Sequence, residues 1–461
     1  MLKLAVLGVR GFLLLFGAVV LGLSVTLAKQ QVEGSPPAET SFGSFCGAFG
    51  ILVSLIGIAA LFIDKIPSIV SMGADGVATA LYLAGAIVRQ PAISDGIYTK
   101  NGLKWSRAVR MNQIQVIGTH NSYHRESPLE AREAQAQLLE SVINYYYSHA
   151  ALDVQASYQS VRSFELDIFA DPEGGKYATP LVIRNSGTEL PPQDVMNKPG
   201  VKVLHVSDAD VWPSCYTLIE CLTIVKKWSQ EHPNHVPIPF MLEFKTAETG
   251  TGGGAPLIPW NDSELLDDLD EEIRSVFSPS QLITADDLRR DNHTLEQSVL
   301  KYEWPDLDSA RGRVFFLMDN EPGSIRDVYT TGRPNLEGRV IFTNSKPGYD
   351  DCVFQKLNDP RNATSLEYIQ RQVHAGYWVR TRADEPLTTI LSNDTTSMRD
   401  SAFDSGAQIV STDFPTYGLT SRWHVDYSAR FKGGIAVRCN PISGKDSCVN
   451  ALLEPEEYLR D

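Results

Sequence analysis

The chain has 461 residues, enough for one large α/β domain with an appendage or for two to three domains, and its formal net charge is −15. Residues 1–100 carry six basic and five acidic side chains, so the acidic excess belongs to the remainder. An acidic body argues against nucleic acid as a partner, because phosphate backbones need a basic surface, and it leaves any anionic substrate to be held by local cations.

In chain order, the first material is apolar. Runs occur at Gly11–Ala28, behind Lys3 and Arg10, at Phe42–Ile63, and at Ile69–Val88, which encloses Asp75. Such lengths read as membrane helices, since about 20 apolar residues span a hydrocarbon core. The first run alone could serve as a signal peptide, which would make the rest a secreted protein. Three runs close together fit a multi-pass anchor better, and the Gly/Ala/Ser-rich face of FCGAFGILVSLIG suits close helix packing. The stretches RGFLLLFGAVVLGLS, FGSFCGAFGILVSLIGIAALFI and SMGADGVATALYLAGAIV resemble the fungal type of MARVEL membrane domain, a four-span family of which three spans are found here. With Lys3 and Arg10 inside, three spans place everything after Arg89 on the extracellular or lumenal side. N-x-S/T acceptors at Asn261, Asn292, Asn362 and Asn393 agree with that side. So do Cys215/Cys221 and Cys439/Cys448, each spaced closely enough to pair in an oxidising compartment, with Cys352 left over. Without a CxxC or mixed Cys/His spacing, zinc is not indicated.

After a polar linker at 91–112, apolar or alternating runs predict strands at 113–118, 163–169, 201–206, 238–245, 313–318, 339–343, 377–382 and 407–412. Helical patterns lie between several of them, in PLEAREAQAQLLESVINYYY, YTLIECLTIVKKWSQ and SELLDDLDEEIRSVF. Eight strands alternating with helices predict an α/β fold, a TIM (β/α)₈ barrel over 113–425, preceded by about three transmembrane helices in 1–90 and followed by an extension at 426–461. The segment TGTGGGAP at 249–256 lacks the Lys-Ser/Thr ending of a phosphate loop and reads as a flexible connection.

A barrel keeps its chemistry at the C-terminal ends of its strands. The first run exits at His120-Asn121, and the second carries Glu165 and Asp167 two residues apart, on one face. The third ends at His205, and the fourth carries Glu243 and Lys245. Taken singly, each has a bland explanation: a polar turn, an edge, a satisfied buried histidine. Four together are hard to place by accident, because unpaired charge inside a barrel costs several kcal/mol, on the order of the burial penalty for an ionised group. Three carboxylates and a carboxamide oxygen form a hard oxygen cage suited to Ca²⁺. Two histidines beside such a cation suit phosphodiester cleavage.

The runs QVIGTHNSYH, SVRSFELDIFADPEGGKY, KVLHVSDAD and PFMLEFK together resemble the Ca²⁺-dependent phosphoinositide-specific phospholipase C family, in its bacterial and fungal single-domain form. The resemblance covers roughly residues 110–425. It implies a distorted TIM barrel, a PLC-like phosphodiesterase that cleaves phosphatidylinositol-type lipid to diacylglycerol and a cyclic inositol phosphate. On this resemblance His120 and His205 are the catalytic pair, and Asn121, Glu165, Asp167 and Glu243 the Ca²⁺ ligands. Lys245 meets the substrate phosphate; Arg380 or Arg382 does the same or bridges to a barrel carboxylate. Asp208, Asp319 and Asp413 lie near strand ends without an assigned role beyond support, and His124 and His149 read as structural. The implied partner is membrane phospholipid, with no obligate protein partner. Two rivals are a glycerophosphodiester phosphodiesterase, whose family begins His-Arg-Gly and keeps its second histidine nearer the carboxylate pair, and a non-catalytic membrane-anchored lipid- or glycan-binding module.

Overall fold

The computed structural model describes residues 2–30, 38–59, 109–246, 257–445 and 448–455. The chain divides into two compact units, residues 1–104 and 105–461.

In the first unit, α1 (Leu2–Gln30) packs on α2 (Ala38–Ala59). Small residues set that contact: a Cβ on Gly47 would lie 2.6 Å from the Leu21 backbone nitrogen, so only glycine lets the two backbones close. Phe12, Leu15, Phe16, Phe45, Leu52 and Leu55 point outward, exposed. The first apolar run is thus helical, and so is the second as far as Ala59; its remainder and the whole third run lie outside the described residues. Among the described residues no helix is long and apolar enough to cross a membrane.

The second unit is built on β1 (Ile114–Thr119), β2 (Val161–Phe169), β3 (Lys202–Val203), β4 (Ile238–Phe244), β5 (Val314–Met318), β6 (Ile341–Phe342), β7 (Phe354–Lys356), β8 (Trp378–Arg382), β9 (Ile409–Thr412) and β10 (Val437–Cys439). Eight of these are parallel staves in the order β6-β5-β4-β2-β1-β9-β8-β7. The edge strands β6 and β7 meet through one parallel bridge, Asn344 to Phe354, which nearly closes the barrel. Every residue of β1, β2 and β5 is buried, as expected of staves covered on both sides. Outside them lie α3 (Leu218–Glu231), α4 (Ser263–Val276) and α5 (Ala363–Ala375). Their N-caps are Thr217, Asp262 and Asn362, each accepting from a backbone N–H of the first turn.

Eight staves were expected and eight are present, but one member differs. The run at 201–206 is not a stave: Lys202–Val203 pairs antiparallel with the far end of β2, through Ile168–Val203 and Phe169–Lys202. The missing stave is β7, three residues with no periodicity to announce it. The helix expected across 128–147 is also interrupted. It opens with a 3₁₀ turn, Leu129–Ala131, is α-helical only over Arg132–Leu138, breaks at Ser141 with φ 52°, and ends in a second 3₁₀ turn, Val142–Tyr145.

The chain after residue 425 returns to the barrel. β10 pairs antiparallel with β1, and a disulfide joins Cys439 to Cys448; a second joins Cys215 to Cys221, while Cys352 is free and buried. Beyond Cys448, Glu454 reaches Arg162 of β2, its two oxygens 2.8 and 2.9 Å from Nε. The Arg162 Nη1 donates to the carbonyls of Ala156 and Val161, both at 2.8 Å, and its guanidinium lies over the Trp228 ring. Both partners are buried. Glu454→Ala would strand that guanidinium without its counter-ion, and is expected to cost about 3 kcal/mol of stability in urea unfolding; a loss below about 1 kcal/mol, the range of an exposed pair, would show that the tail does not hold the barrel.

Candidate active site

The polar groups gather where the staves end. Leaving β1, the chain turns at Asn121, whose φ of 47° is a left-handed value that asparagine tolerates better than most residues. The turn is stitched to β2: Ser122 N–H donates to the Glu165 carbonyl (2.9 Å), and Glu165 N–H donates back to Ser122 Oγ (2.8 Å). This stitching sets His120 and Asn121 beside the carboxylates of β2. Parallel pairing of β2 with β4 then puts Asp167 opposite Glu243.

Glu165, Asp167 and Glu243 each offer one oxygen within a space 4.8 Å across. Two cations share it. Lys245 Nζ lies 2.7 Å from Asp167 and 2.9 Å from Glu243, and Arg380 pairs with Glu165 while also holding Asn358 and Ser411. Burial, and after it the neighbouring Asp319 and Glu243, push the Glu165 carboxyl up to about 7. Asp167 is raised for the same first reason, with Glu243 and Glu165 adding to it.

Two buried acceptors of these residues, Asn121 Oδ1 and Asp167 Oδ1, have no hydrogen-bond partner among the described residues. Orphaned oxygens beside crowded carboxylates, with no sulfur or imidazole in the set, fit a hard divalent cation such as Ca²⁺. Asn121, Glu165, Asp167 and Glu243 are therefore the residues that could hold one.

Two imidazoles flank the cluster, each mounted on a buried aspartate. His120 Nδ1 is 2.9 Å from Asp413 Oδ1, and its Nε2 is 3.7 Å from Glu165. Arg382 pairs with the other Asp413 oxygen at 3.0 Å. Burial and then Arg382 push the His120 imidazole down to about 3, against the pull of Asp413, so the ring is neutral near pH 7. His205 Nδ1 is 2.8 Å from Asp210 Oδ2, and burial lowers its pKa as well. His205 arrives on the loop after β3 and not on a stave end.

All the residues expected at the site meet there, with the three cations in particular company. Lys245, Arg380 and Arg382 are each engaged with carboxylates, and Arg380 is almost wholly buried. Asp208 stands aside, its Oδ1 accepting from Leu181 N–H, whereas Asp319, near enough to act on Glu165, pairs with Lys356. Asp413 supports His120, and His149 Nε2 reaches the His120 carbonyl at 2.9 Å. Sequence reading passed over Asp210, although it follows His205 within five residues. It also passed over Tyr145, whose ring centre lies 5.1 Å from that of His205, and Tyr147, whose hydroxyl accepts from Asn121 Nδ2 at 3.4 Å, both in a segment with helical periodicity.

The family model described as "Phosphoinositide phospholipase C, Ca2+-dependent" matches residues 109–441, most of the chain. The chain belongs to that family. Ca²⁺ is accordingly its cofactor, in keeping with the oxygen cluster. A second family model, the membrane-associating MARVEL domain, matches residues 3–135; in the structure, the last stretch of that match folds as β1 and its following loop. Among solved structures, a calcium-dependent phosphoinositol-specific phospholipase C from a Pseudomonas species is 16% identical with TM-score 0.44, covering 72% of this chain and 96% of its own. A Ca²⁺-dependent phosphatidylinositol-specific phospholipase C from Streptomyces antibioticus is 13% identical with TM-score 0.41, covering 70% and 99%. A glycerophosphoryl diester phosphodiesterase from Parabacteroides distasonis is 11% identical with TM-score 0.27, covering 74% and 97%. No protein of curated function matches the chain.

For this family member, titration calorimetry is expected to show one Ca²⁺ bound per chain, weakened about tenfold or more by Asp167→Asn. A change of less than about twofold would remove Asp167 from the ligand set.

Proposed function

We propose that the chain is a phospholipase C that cleaves phosphatidylinositol-type lipid to diacylglycerol and a cyclic inositol phosphate. The observation that carries this reading is the pairing of two aspartate-mounted imidazoles with one carboxylate-carboxamide cluster in a single barrel mouth. Cleavage begins when the inositol 2-hydroxyl attacks phosphorus, which forms the cyclic phosphate and expels the glycerol oxygen. One proton must leave the hydroxyl and one must reach the departing oxygen.

The neutral His120, with Nδ1–H donated to Asp413, presents Nε2 to that chemistry. His205, with Nδ1 on Asp210, does the same from the opposite loop. One free Nε2 takes the proton of the 2-hydroxyl and delivers it to the departing glycerol oxygen, and the other ring, when it carries a proton on both nitrogens, donates from Nε2 to an oxygen of the five-coordinate phosphorus. Bound Ca²⁺, held by Asn121, Glu165, Asp167 and Glu243, would supply positive charge to the phosphate oxygens and lower the pKa of the attacking hydroxyl. Arg382 and Lys245 border the mouth, each part-exposed, and are the cations placed to meet the substrate phosphate. Arg380, sealed beneath Glu165, acts on the cluster instead.

The first unit serves as the membrane-associating part. Its outward-facing Phe12, Leu15, Phe16 and Phe45 and its MARVEL match support that role. The barrel belongs on the extracellular or lumenal side. Supporting this are two disulfides and the four acceptor asparagines, Asn261, Asn292, Asn362 and Asn393, all exposed. At Asn362 the cap on α5 uses Oδ1 as acceptor from Ser365 N–H while Nδ2 donates one hydrogen to Ser365 Oγ, so a glycan there would replace the amide's second hydrogen.

His120→Ala is expected to lower kcat/KM on phosphatidylinositol vesicles by about 10³-fold, and chelation of Ca²⁺ to abolish turnover. Preference for soluble glycerophosphodiesters, or activity indifferent to both changes, would overturn the reading. Expressed in a secretory host, the chain is expected to gain mobility on gels after N-glycosidase treatment; unaltered mobility would place the barrel on the other side of the membrane.

A further inference from the structure

His124 lies three residues beyond the Ca²⁺-cluster asparagine and has no place in the chemistry just described, yet it is only 2% exposed and polar. Its Nε2 is 2.7 Å from Asp210 Oδ2, the same oxygen that His205 Nδ1 approaches at 2.8 Å. The two rings meet edge to face, 5.6 Å between centres. A carboxylate oxygen has two lone pairs, so one oxygen can accept both N–H groups. The other oxygen, Asp210 Oδ1, accepts from Gln135 Nε2 at 3.1 Å, and Gln135 is itself held by Ser127 Oγ at 2.7 Å.

These three groups also have the residue types of a cation site. Their atoms, however, satisfy one another at hydrogen-bond distances, which is the arrangement of a relay.

The connection matters because its members come from different loops. His124 and Gln135 follow β1, whereas His205 and Asp210 follow β3. Held by His205 alone, the Asp210 carboxylate would be free to turn about its own bond. With His124 and Gln135 on it, the carboxylate plane is fixed, and so is the oxygen that faces His205. That oxygen sets which His205 nitrogen carries the proton, and it aims Nε2 at the mouth. His124 is in turn fixed by stacking on Tyr147, with ring centres 4.4 Å apart at 25°. A side chain present only to fill space would be better apolar: His124 Nδ1 is buried with no hydrogen-bond partner among the described residues, an arrangement that costs stability.

We propose that His124 is a positioning residue for His205, acting through Asp210. The inference rests on the phospholipase reading, in which His205 touches substrate. His124→Phe keeps a ring against Tyr147 and deletes the donor, whereas His124→Gln returns a donor at the place of Nε2. In the full chain, H124F is expected to lower kcat about tenfold or more with KM little changed, and H124Q to restore most of it. Gln135→Met, which frees the other side of Asp210, should lower kcat in the same way and serves where H124F does not fold. In an Asp210→Asn background, H124F should add almost nothing, since both act on one oxygen. Ca²⁺ affinity by calorimetry should stay as in the parent, because Asn121 is untouched.

Wild-type turnover that vanishes in His120→Ala upholds the parent reading, and its absence sinks that reading. Given turnover, the positioning role is overturned by any of three results: kcat within about twofold in both H124F and Q135M, full additivity with Asp210→Asn, or a loss of Ca²⁺ binding that traces the effect to Asn121.

Discussion

Three carboxylates brought within 4.8 Å of one another, Glu165 and Asp167 buried and Glu243 part-exposed, are the constraint from which the rest of this barrel follows. Like charges at that separation cannot all remain ionised without positive charge nearby, because burial removes the water that would screen them. Arg380 and Lys245 return two charges against three. Under the proposed function the remainder is left to Ca²⁺, and Asn121 Oδ1 and Asp167 Oδ1 have no hydrogen-bond partner among the described residues. The upward shift at Glu165 is the same imbalance seen from the proton's side.

That constraint explains why the cations of the site are spoken for. Arg380 is buried beneath Glu165 and also bound to Asn358 and Ser411, so its guanidinium is part of the frame. Lys245 bridges two carboxylates yet keeps some exposure, and Arg382 is tied to Asp413 behind His120. A group that neutralises the frame and also faces the mouth can respond to an arriving phosphate without being created for it. Each imidazole follows the same scheme. A buried aspartate fixes one nitrogen of His120 and of His205, which under the proposed function leaves the other for chemistry, and a further residue fixes the aspartate: Arg382 for Asp413, Gln135 and His124 for Asp210.

Local patterns in the sequence revealed the parts that depend on local physics. The strand exit QVIGTHNSYH and the i, i+2 carboxylates of SFELDIF express strand period and turn chemistry, and both sit where those rules place them. The run KVLHV misled because it is as apolar as a stave, while its Lys202 is buried against Asp171 in a short antiparallel pair. Phe354–Lys356, a true stave, is too short for any period to show. Asp413 was legible as a strand-end residue but not as the partner of His120, which lies 293 positions away. Asp210 lay behind Asp208, the more conspicuous acid in HVSDAD, whose actual work is to accept the Leu181 N–H. Pairings of this kind are made by tertiary packing, and no spacing rule within one segment encodes them.

The charge distribution now acquires a physical meaning under the proposed function. An acidic body gains no general attraction to an anionic lipid surface, and would be repelled by one. The cations that could help are few, enclosed, and matched to carboxylates, so they act over a single phosphate and not over a membrane. Bringing such an enzyme to lipid must therefore be the task of another part of the chain. A covalently joined membrane-associating unit does this by raising the effective concentration of lipid at the barrel mouth, independent of surface charge. The acidic excess then becomes tolerable, because recruitment rests on apolar surface and recognition on a handful of buried ions. The two units divide the problem along the line that separates the hydrophobic effect from electrostatics.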